Sequence, residues 1–533
     1  MDELTLQDDQ VKLEVLRLKN DGYSNREISK VTGIPRSTLG DFFLQITHKE
    51  WWQAHSKPIA GGDFDDHHSD LAELQGDRFI FLTAQNNTFV NKAFWNSIKV
   101  AAEHLDAQIV VGTFTYGKAL FTNHEKGEDW IDPLIRDYVL DKPARIADGL
   151  LWLGELNINP TAVNPLSGLH SYARGDSAII PHVKVQLESL PRFKGEEPRF
   201  LYTTGAITKR NYIQKKTGQK ASFDHVYGGM LVEVDSDGKW YARQITADDD
   251  GSFYDLDTLY TPEGVKTGQN VLAINYGDIH AEKMDKEVAF GSFDKSNPEN
   301  LTDKLKPEYV FLHDVIDFTT RNHHNIKDPY FRFMSHHHSS DTVQDDLNKT
   351  ANIISDIYRD WLEVVVVESN HDLALKKWLK ESCYKNDPAN AVLFLELQLA
   401  QYKAMEAGDS NFQIFEHSMK QVCDVKEDVR FLRTDESFRL QDIEYGVHGH
   451  AGVNGSRGSP QGYTRVGSKV NTGHTHSCKI ISGVYVAGVT AKLDMGYNNG
   501  YSTWSHSHIV TYKNGKRAII TMRGNKYKAE DKS

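Results

Sequence analysis

Residues 271–280, VLAINYGDIH, begin as an apolar run and end in Gly277, Asp278 and His280. An apolar run of this length that ends at a glycine is typical of a buried strand in a parallel sheet. In an extended chain the residues i and i+2 point to the same side, so Asp278 and His280 can bind one metal ion together. The stretch therefore predicts a strand that presents metal ligands at its carboxyl end.

The same pattern occurs four more times downstream. The further strands are predicted at Tyr309–Leu312, Glu363–Val367, near Ile443–Val447 and around Lys469–Asn471, and they end in His313-Asp314, Asn370-His371-Asp372, His448-Gly449-His450 and His474-Thr475-His476. In α/β sheets, ligands gather at the carboxyl ends of the strands. The sequence therefore predicts one metal centre assembled by five strands. Either His448 or His450 can be the fourth strand's ligand, and His448, the first histidine after the strand, is preferred.

This ordered set of motifs resembles the calcineurin-like metallophosphoesterase superfamily over roughly residues 271–510. The resemblance implies two divalent ions, the first held by Asp278, His280, Asp314 and His476, and the second by Asp314, Asn370, His448 and His474. It also implies that His371 stabilises the phosphoryl transition state or protonates the leaving oxygen, and that Asp372 orients His371. Two such ions clamp a phosphate and activate water for in-line attack, and imidazole acid catalysis contributes ~10²–10⁴-fold.

Two positions depart from the superfamily's pattern, because His313 and Ser369 stand where it usually has glycine. All the implied ligands are present, so we interpret both changes as variation within an active branch. The mixture of imidazoles, carboxylates and one amide suits Mn²⁺, Fe²⁺ or Zn²⁺, and the resemblance to the nuclease branch favours Mn²⁺. Asp317, three residues after Asp314, is predicted to hold a ligand in position.

The amino-terminal residues 21–43, DGYSNREISKVTGIPRSTLGDFF, predict two helices joined by a turn that contains Gly33. Ser24 can cap the first helix, with Glu27 at the capping-box position. This order is typical of a helix-turn-helix, and it resembles those of resolvases and bacterial regulators. By that resemblance, the start of the second helix would face DNA through Arg36, Ser37 and Thr38.

An alternative interpretation of this segment is a structural helical bundle or a protein-docking module. Residues 1–50 contain seven Lys or Arg against nine Asp or Glu, which is a weak charge balance for independent DNA binding. Both interpretations therefore stay open.

The predicted organisation is α/β with several parts. Residues 1–57 form the helix-turn-helix, 58–76 a linker, 77–269 an α/β domain without an assigned role, and 270–533 a metallophosphoesterase sandwich of two sheets flanked by helices. The unassigned middle domain favours assembly into a homo-oligomer.

Composition limits the remaining function classes. The chain has 533 residues, 61 Lys or Arg and 74 Asp or Glu, and hence a formal net charge of −13, which argues against general nucleic-acid binding. Three cysteines without a disulfide or zinc spacing predict a reducing compartment. No signal peptide or long apolar segment is found, so we expect a cytoplasmic protein.

Two features favour DNA, expected to be double-stranded, as the phosphoester substrate: the helix-turn-helix as a duplex anchor, and the glycine-rich stretch Gly452–Gly467, which carries Arg457 and Arg465 beside the fourth motif. The whole arrangement resembles the DNA double-strand-break-repair nucleases of the superfamily and, more narrowly, a pre-early DNase of T-odd siphophages that attacks host DNA. The resemblance implies a Mn²⁺-dependent DNase. The alternatives are a phosphatase or small-molecule phosphodiesterase whose helix-turn-helix serves assembly, and a DNA-binding regulator with a vestigial metal fold.

Overall fold

The structure is a computed structural model. It describes residues 11, 15, 18–19, 23–40, 42–43, 71–116, 130–322, 325–338 and 341–530. The chain divides into two compact units, residues 1–71 and 72–533. The chain contains α-helices as well as several sheets, so the fold is mixed α/β. Every helix among the described residues is too short or too polar to cross a membrane.

The bounds of the elements follow in chain order. The helices are α1 Asn25–Thr32, α2 Lys92–Leu105, α3 Lys216–Asp224, α4 Lys286–Ser292, α5 Leu301–Leu305, α6 Pro329–His337, α7 Val343–Ile357, α8 Asp372–Glu381, α9 Ala391–Glu406, α10 Ile414–His417 and α11 Pro460–Tyr463. The strands are β1 Ala72–Glu73, β2 Arg78–Gln85, β3 Gln108–Phe114, β4 Pro143–Ala147, β5 Leu150–Leu153, β6 Ser177–Ile180, β7 Leu187–Leu190, β8 Arg199–Thr203, β9 Gly228–Val234, β10 Trp240–Thr246, β11 Phe253–Asp255, β12 Thr258–Thr261, β13 Gly264–Lys266, β14 Ala273–Asn275, β15 Tyr309–His313, β16 Glu363–Val367, β17 Arg430–Leu432, β18 Arg439–Leu440, β19 Ile443–Glu444, β20 Lys469–Thr472, β21 Lys479–Ile481, β22 Val484–Val486, β23 Ser507–Thr511 and β24 Arg517–Thr521.

The first unit contains the predicted capping box. The Ser24 side chain accepts from the Glu27 backbone N–H, the Glu27 carboxylate accepts from the Ser24 backbone, and Gly33 closes α1 with a φ of 76°. Residues 36–40 are again helical. The buried side chains of Val15, Ile28, Ile34 and Leu39 form a small core for these turns.

A six-stranded sheet in the order β17-β16-β15-β14-β23-β24 provides the frame of the site. Its strands β14 to β17 are parallel, and β23 joins β14 antiparallel. Val310 and Leu312 point to the face covered by α4, α5, α7 and α8. Phe311 and Val365 point to the other face, where they pack against Tyr445 beside β19. Alternate residues of one strand therefore serve two different cores.

The second sheet is eleven-stranded, in the order β1-β4-β5-β6-β8-β7-β21-β22-β20-β19-β18. It joins segments that the sequence predicts to be separate, because β7 pairs with β21 across the expected boundary near residue 270. The predicted linker also differs, since Ala72–Glu73 forms β1 and pairs with β4, while residues 58–70 lie outside the described residues. The boundary between compact units falls at residue 71, and residues 72–533 share one body.

A third layer consists of the four-stranded sheet β10-β9-β2-β3, and α2 covers its outer face. The α2 helix and the strands β2 and β3 agree with the α/β character that the sequence predicts for residues 77–269. This segment nevertheless shares one compact unit with residues 270–533.

Candidate metal centre

The first predicted motif follows β14 directly. Gly277 lies so close to a neighbouring segment that an added Cβ would stand 2.7 Å from the backbone N of Val489. Asp278 continues this contact, because its N–H donates to the Gly488 carbonyl and its carbonyl accepts from Thr490. Glycine therefore permits the close approach of two chain segments, and it fixes Asp278 at the carboxyl edge of the sheet.

Side chains from three motifs meet in a first cluster, formed by Asp278, His280, Asp314 and His476. His476 Nε2 lies 3.1 Å from Asp278 Oδ2 and 3.0 Å from His280 Nε2. Asp314 Oδ2 lies 3.7 Å from His280 Nε2. All four side chains are buried. One nitrogen or oxygen atom from each of the four lies within 4.8 Å of those of the others, so the structure brings together the residues that the superfamily resemblance assigns to one ion.

A second cluster shares Asp314 and adds His448 and His474. His448 Nε2 lies 3.3 Å from Asp314 Oδ2, and the His448 and His474 rings are 5.1 Å apart. His450 does not belong to this cluster, although its ring lies 5.4 Å from that of His448. Of the two histidines of the fourth motif, the structure brings His448 into the cluster.

A third group places the predicted acid beside the first cluster. His371 Nδ1 lies 3.0 Å from the Asp317 backbone carbonyl and 3.6 Å from the Asp317 carboxylate. The same carboxylate lies 3.1 Å from His280 Nδ1, and the His280 and His371 rings meet edge to face with centroids 4.7 Å apart. Asp317 thus holds both imidazoles, which agrees with its predicted supporting position.

Asp372, which the superfamily resemblance implies to orient His371, makes its hydrogen bond elsewhere. It is buried at the start of α8, where one carboxylate oxygen accepts from the Ser369 backbone. Within the described residues no hydrogen bond joins Asp372 to His371, since Asp372 accepts from Ser369 and His371 Nδ1 lies at the Asp317 carbonyl. Burial, and after it the Asp314 charge, raise the pKa of Asp372 to about 7. The contact with His371 belongs to Asp317 instead.

The electrostatics of the centre favour bound positive charge. Burial raises the pKa of Asp314, but the neighbouring His448 and His371 outweigh it and hold that pKa well below its usual range. Burial lowers the pKa of His280, but the hydrogen bond to Asp317 and the charge of Asp314 reverse the effect and raise it to about 9. An ionised buried carboxylate requires a cation beside it. The centre can satisfy this requirement with imidazolium or with metal.

Unpartnered atoms indicate which cation fits. Within the described residues, the buried atoms without a hydrogen-bond partner include Asp278 Oδ1, Asp314 Oδ1 and both ring nitrogens of His448. Buried polar groups are nearly always paired, so such a concentration calls for a ligand. Carboxylate oxygens and imidazole nitrogens are donors that first-row divalent metals accept. The residues present therefore fit a divalent ion in each of the two clusters.

The other predicted site residues are exposed. Asn370 is exposed at the end of β16, and no hydrogen bond of the described chain joins it to the clusters. Arg457 and Arg465 are exposed on the segment after His450, which is tied back by the bond from Gly458 N to the His450 carbonyl. In the other compact unit, the residues Arg36, Ser37 and Thr38 are exposed on one helical turn.

Sequence reasoning missed an aromatic side chain at the centre. The Trp504 ring lies 4.3 Å from the His476 ring, edge to face, and Arg192 holds the Trp504 carbonyl at 3.0 Å. Trp504 comes from the segment before β23 and belongs to none of the ligand motifs. No spacing or composition signal distinguishes it from the other tryptophans.

Comparison with known proteins gives one informative relative. Protein A1 of Escherichia phage T5 is 43% identical over 463 residues, which cover 85% of this chain and 83% of the relative. No protein-family model matches the chain, and no solved structure gives a significant match.

Proposed function

The chain belongs to the family of Protein A1 of Escherichia phage T5, and from this premise we propose that it is a metal-dependent DNase of the phage-infected cell. The observation that carries the proposal is the convergence of Asp278, His280, Asp314, His448 and His476, all buried, at one edge of the six-stranded sheet. The six-stranded sheet, with the eleven-stranded sheet packed on one face and helices on the other, supports a calcineurin-like metallophosphoesterase arrangement.

The chemistry follows from the residues around the two clusters. Asp278, His280, Asp314 and His476 would hold one divalent ion, and Asp314, His448 and His474 the second, with Asn370 as the amide ligand that the superfamily resemblance adds. Two ions, with Mn²⁺ as first choice, would supply charge stabilisation and a nucleophilic water at neutral pH. His371 stands beside this centre with Nδ1 held at the Asp317 carbonyl, which leaves Nε2 to donate a proton to the leaving oxygen.

DNA is favoured as the substrate by two exposed sets of side chains. Arg457 and Arg465 are exposed on the segment after His450, which a bond from Gly458 N to the His450 carbonyl ties back toward the fourth motif, and such guanidinium groups can contact phosphates. Arg36, Ser37 and Thr38 are exposed on one helical turn and support a helix-turn-helix function for residues 1–57. We place this activity in the host cytoplasm.

A homo-oligomer is part of the proposal, and α9 provides the surface. Apolar side chains recur every three or four residues along its exposed side: Val392, Leu395, Leu399, Tyr402 and Met405. If two copies covered each other's stripe, they would bury roughly 1,000 Å² of surface in total, which reaches the lower range of biological interfaces. Exposed Glu396 and Lys403 flank it seven residues apart. In an antiparallel pair of copies, each glutamate would face the other copy's lysine.

One assay tests the activity. We expect the purified protein with Mn²⁺ to degrade plasmid, linear or single-stranded DNA, and His371→Ala to lower the rate by ~10²–10⁴-fold with unchanged metal content. His170→Ala, at a histidine outside the clusters that pairs with Glu188, is the matched control and is expected to retain the rate.

The other outcomes identify the alternatives. Hydrolysis of bis(4-nitrophenyl) phosphate without DNA degradation would indicate a phosphatase or small-molecule phosphodiesterase. Two bound ions without hydrolysis of any phosphoester would indicate a DNA-binding regulator with a vestigial centre.

A further inference from the structure

A short loop beside the metal centre carries an exposed aromatic ring that the proposed hydrolysis does not use. The chain leaves the centre through Val489 and Ala491, which bridge to Asp278 and Met284 respectively. It then turns through residues 493–498, where Asn498 accepts from Met495 N and donates to the Leu493 carbonyl. The bridges fix the starting point of this turn next to the ligand Asp278.

Tyr497 lies at the tip of this turn. Its ring packs against Trp504 with centroids 5.8 Å apart, and Trp504 in turn contacts the ring of His476 at 4.3 Å. One aromatic ring therefore separates Tyr497 from a residue of the first cluster. Met495, which the Tyr497 hydroxyl contacts at 3.4 Å, is buried in the small core beneath the turn.

The Tyr497 side chain is held by its neighbours and is at the same time partly exposed to solvent. The side chain is 53% exposed, although its hydroxyl is engaged and its edge rests on Trp504. Burial, followed by the charges of Asp317, Asp314 and Asp278, raises the pKa of Tyr497. A large apolar ring is thus held in place with much of its surface open to solvent.

We propose that Tyr497, backed by Trp504, is a stacking platform for the nucleobase next to the phosphodiester at the metal centre. The ring surface is available, it is anchored at its hydroxyl end, and it lies within reach of a nucleotide whose phosphate occupies the clusters. This inference rests on the proposed nuclease function and specifies its substrate. A base must leave the duplex stack to meet an aromatic ring, so the preferred substrate is single-stranded or locally unpaired DNA.

Neighbouring charges suit a nucleic-acid strand. Lys492 is exposed on the segment that leads into the turn. Its backbone N–H donates a hydrogen bond to the carbonyl of Lys283. Lys283 follows His280 and Lys492 follows Val489, so the two lysines are neighbours through their backbones on segments that leave the centre. Stacking on an aromatic ring is sequence-tolerant because every base has a π-face. The platform would accordingly position any of the four bases, and the lysines would follow the phosphates.

The test compares DNA with bases and DNA without them. The probes are two labelled single-stranded oligonucleotides, one fully base-bearing and one with a central block of abasic tetrahydrofuran nucleotides, each cleaved in Mn²⁺. We expect Tyr497→Ala to lower kcat/KM on the base-bearing strand by roughly 10- to 100-fold. Within the abasic block we expect Tyr497→Ala and the wild type to cleave equally, because no base is present to stack. Tyr497→Phe keeps the ring and is expected to recover most of the lost cleavage.

Several outcomes would overturn the platform. Equal cleavage of base-bearing DNA by Tyr497→Ala and wild type would show that the ring contacts no base. An equal loss on both probes would assign Tyr497 a structural role, and a Tyr497→Phe variant as slow as Tyr497→Ala would assign the effect to the hydroxyl. A wild type that degrades plasmid DNA but cleaves neither strand would overturn the single-stranded preference and with it the platform. A wild type that cleaves neither the strands nor plasmid DNA would overturn the nuclease function itself, which is a distinct result. Phe223→Ala removes another exposed ring, 88% exposed on α3, and controls for the loss of an aromatic side chain.

Discussion

The Asp317 carboxylate lies 3.1 Å from Nδ1 of His280, the nitrogen that faces away from the first cluster. The opposite nitrogen, Nε2, lies 3.0 Å from Nε2 of His476. A carboxylate on one side of an imidazole fixes the proton there, and it leaves the lone pair of the other nitrogen for a metal. Asp317, which lies outside the first cluster, therefore favours the tautomer of His280 that a bound metal would need.

Asp317→Asn tests this relationship. The amide can present its NH₂ group to His280 and no longer stabilises a proton on Nδ1, so we expect Mn²⁺ affinity to fall by about 10- to 100-fold. Isothermal titration of the metal-stripped protein with Mn²⁺ measures the loss directly, and excess Mn²⁺ should recover part of the DNase activity. Asp360→Asn, at an exposed position, makes the same chemical change elsewhere. Unchanged Mn²⁺ affinity in Asp317→Asn would contradict the role assigned to it.

The residues of the centre were largely predictable because they follow apolar runs at the carboxyl ends of parallel strands. Their backbone geometry was not predictable. Asp314, His280 and His476 all have positive φ values, of 43°, 44° and 56°, and no glycine in the sequence marks these positions. Such conformations are uncommon in other residues and collect at functional sites. The tertiary environment imposes them, which a pattern of residue types does not reveal.

The pairing of strands that lie far apart in the chain was likewise not predictable from the sequence. The ion pair between Lys479 and Glu188 joins β21 to β7, although the two residues are 291 positions apart. Hydrophobic periodicity shows which face of a strand is buried, but it does not select the partner strand. The predicted separation of residues 77–269 from 270–533 missed this sheet for that reason.

Gly473→Ala should damage the centre through contact alone. A Cβ on Gly473 would stand 2.1 Å from Asp278 Oδ1 and 3.3 Å from the Cβ of His313. Because both neighbours are buried, the methyl group displaces Asp278, and overpacking of this kind costs about 1–3 kcal/mol. We expect a lower midpoint in urea unfolding together with weaker Mn²⁺ binding. Gly40→Ala, where an added Cβ meets nothing within 4 Å, should change neither measurement.

Acid should destabilise the protein through buried histidines away from the metal centre. Burial lowers the pKa of His182 to about 4, while its Nδ1 accepts from the Lys184 backbone at 3.1 Å. The unfolded chain binds this proton near pH 6.5, so between pH 6.5 and 4 the unfolded state holds more protons than the folded one. The free energy of unfolding therefore falls as the pH falls through this window, by roughly 1.4 kcal/mol per unit from His182.

His182→Asn isolates this contribution, because asparagine can accept the same backbone hydrogen bond without titrating. Urea unfolding in the presence of a chelator, between pH 7 and pH 4.5, should give a shallower pH dependence for the variant than for wild type. Equal slopes for the two proteins would show that His182 titrates at its ordinary pKa in the folded chain.

The exposed stripe on α9 leads to an expectation about assembly that is independent of catalysis. Leu399 lies at the middle of the stripe and is 54% exposed, so Leu399→Arg should place two cations at the centre of a symmetric contact and dissociate it. Light scattering after size exclusion measures the mass. The charged residues give the sharper test. Glu396→Lys alone, or Lys403→Glu alone, places like charges opposite each other across the contact. The double variant with both exchanges restores pairs of opposite charge. Recovery of the wild-type mass in the double variant supports the antiparallel pairing, and a monomeric wild type would refute it.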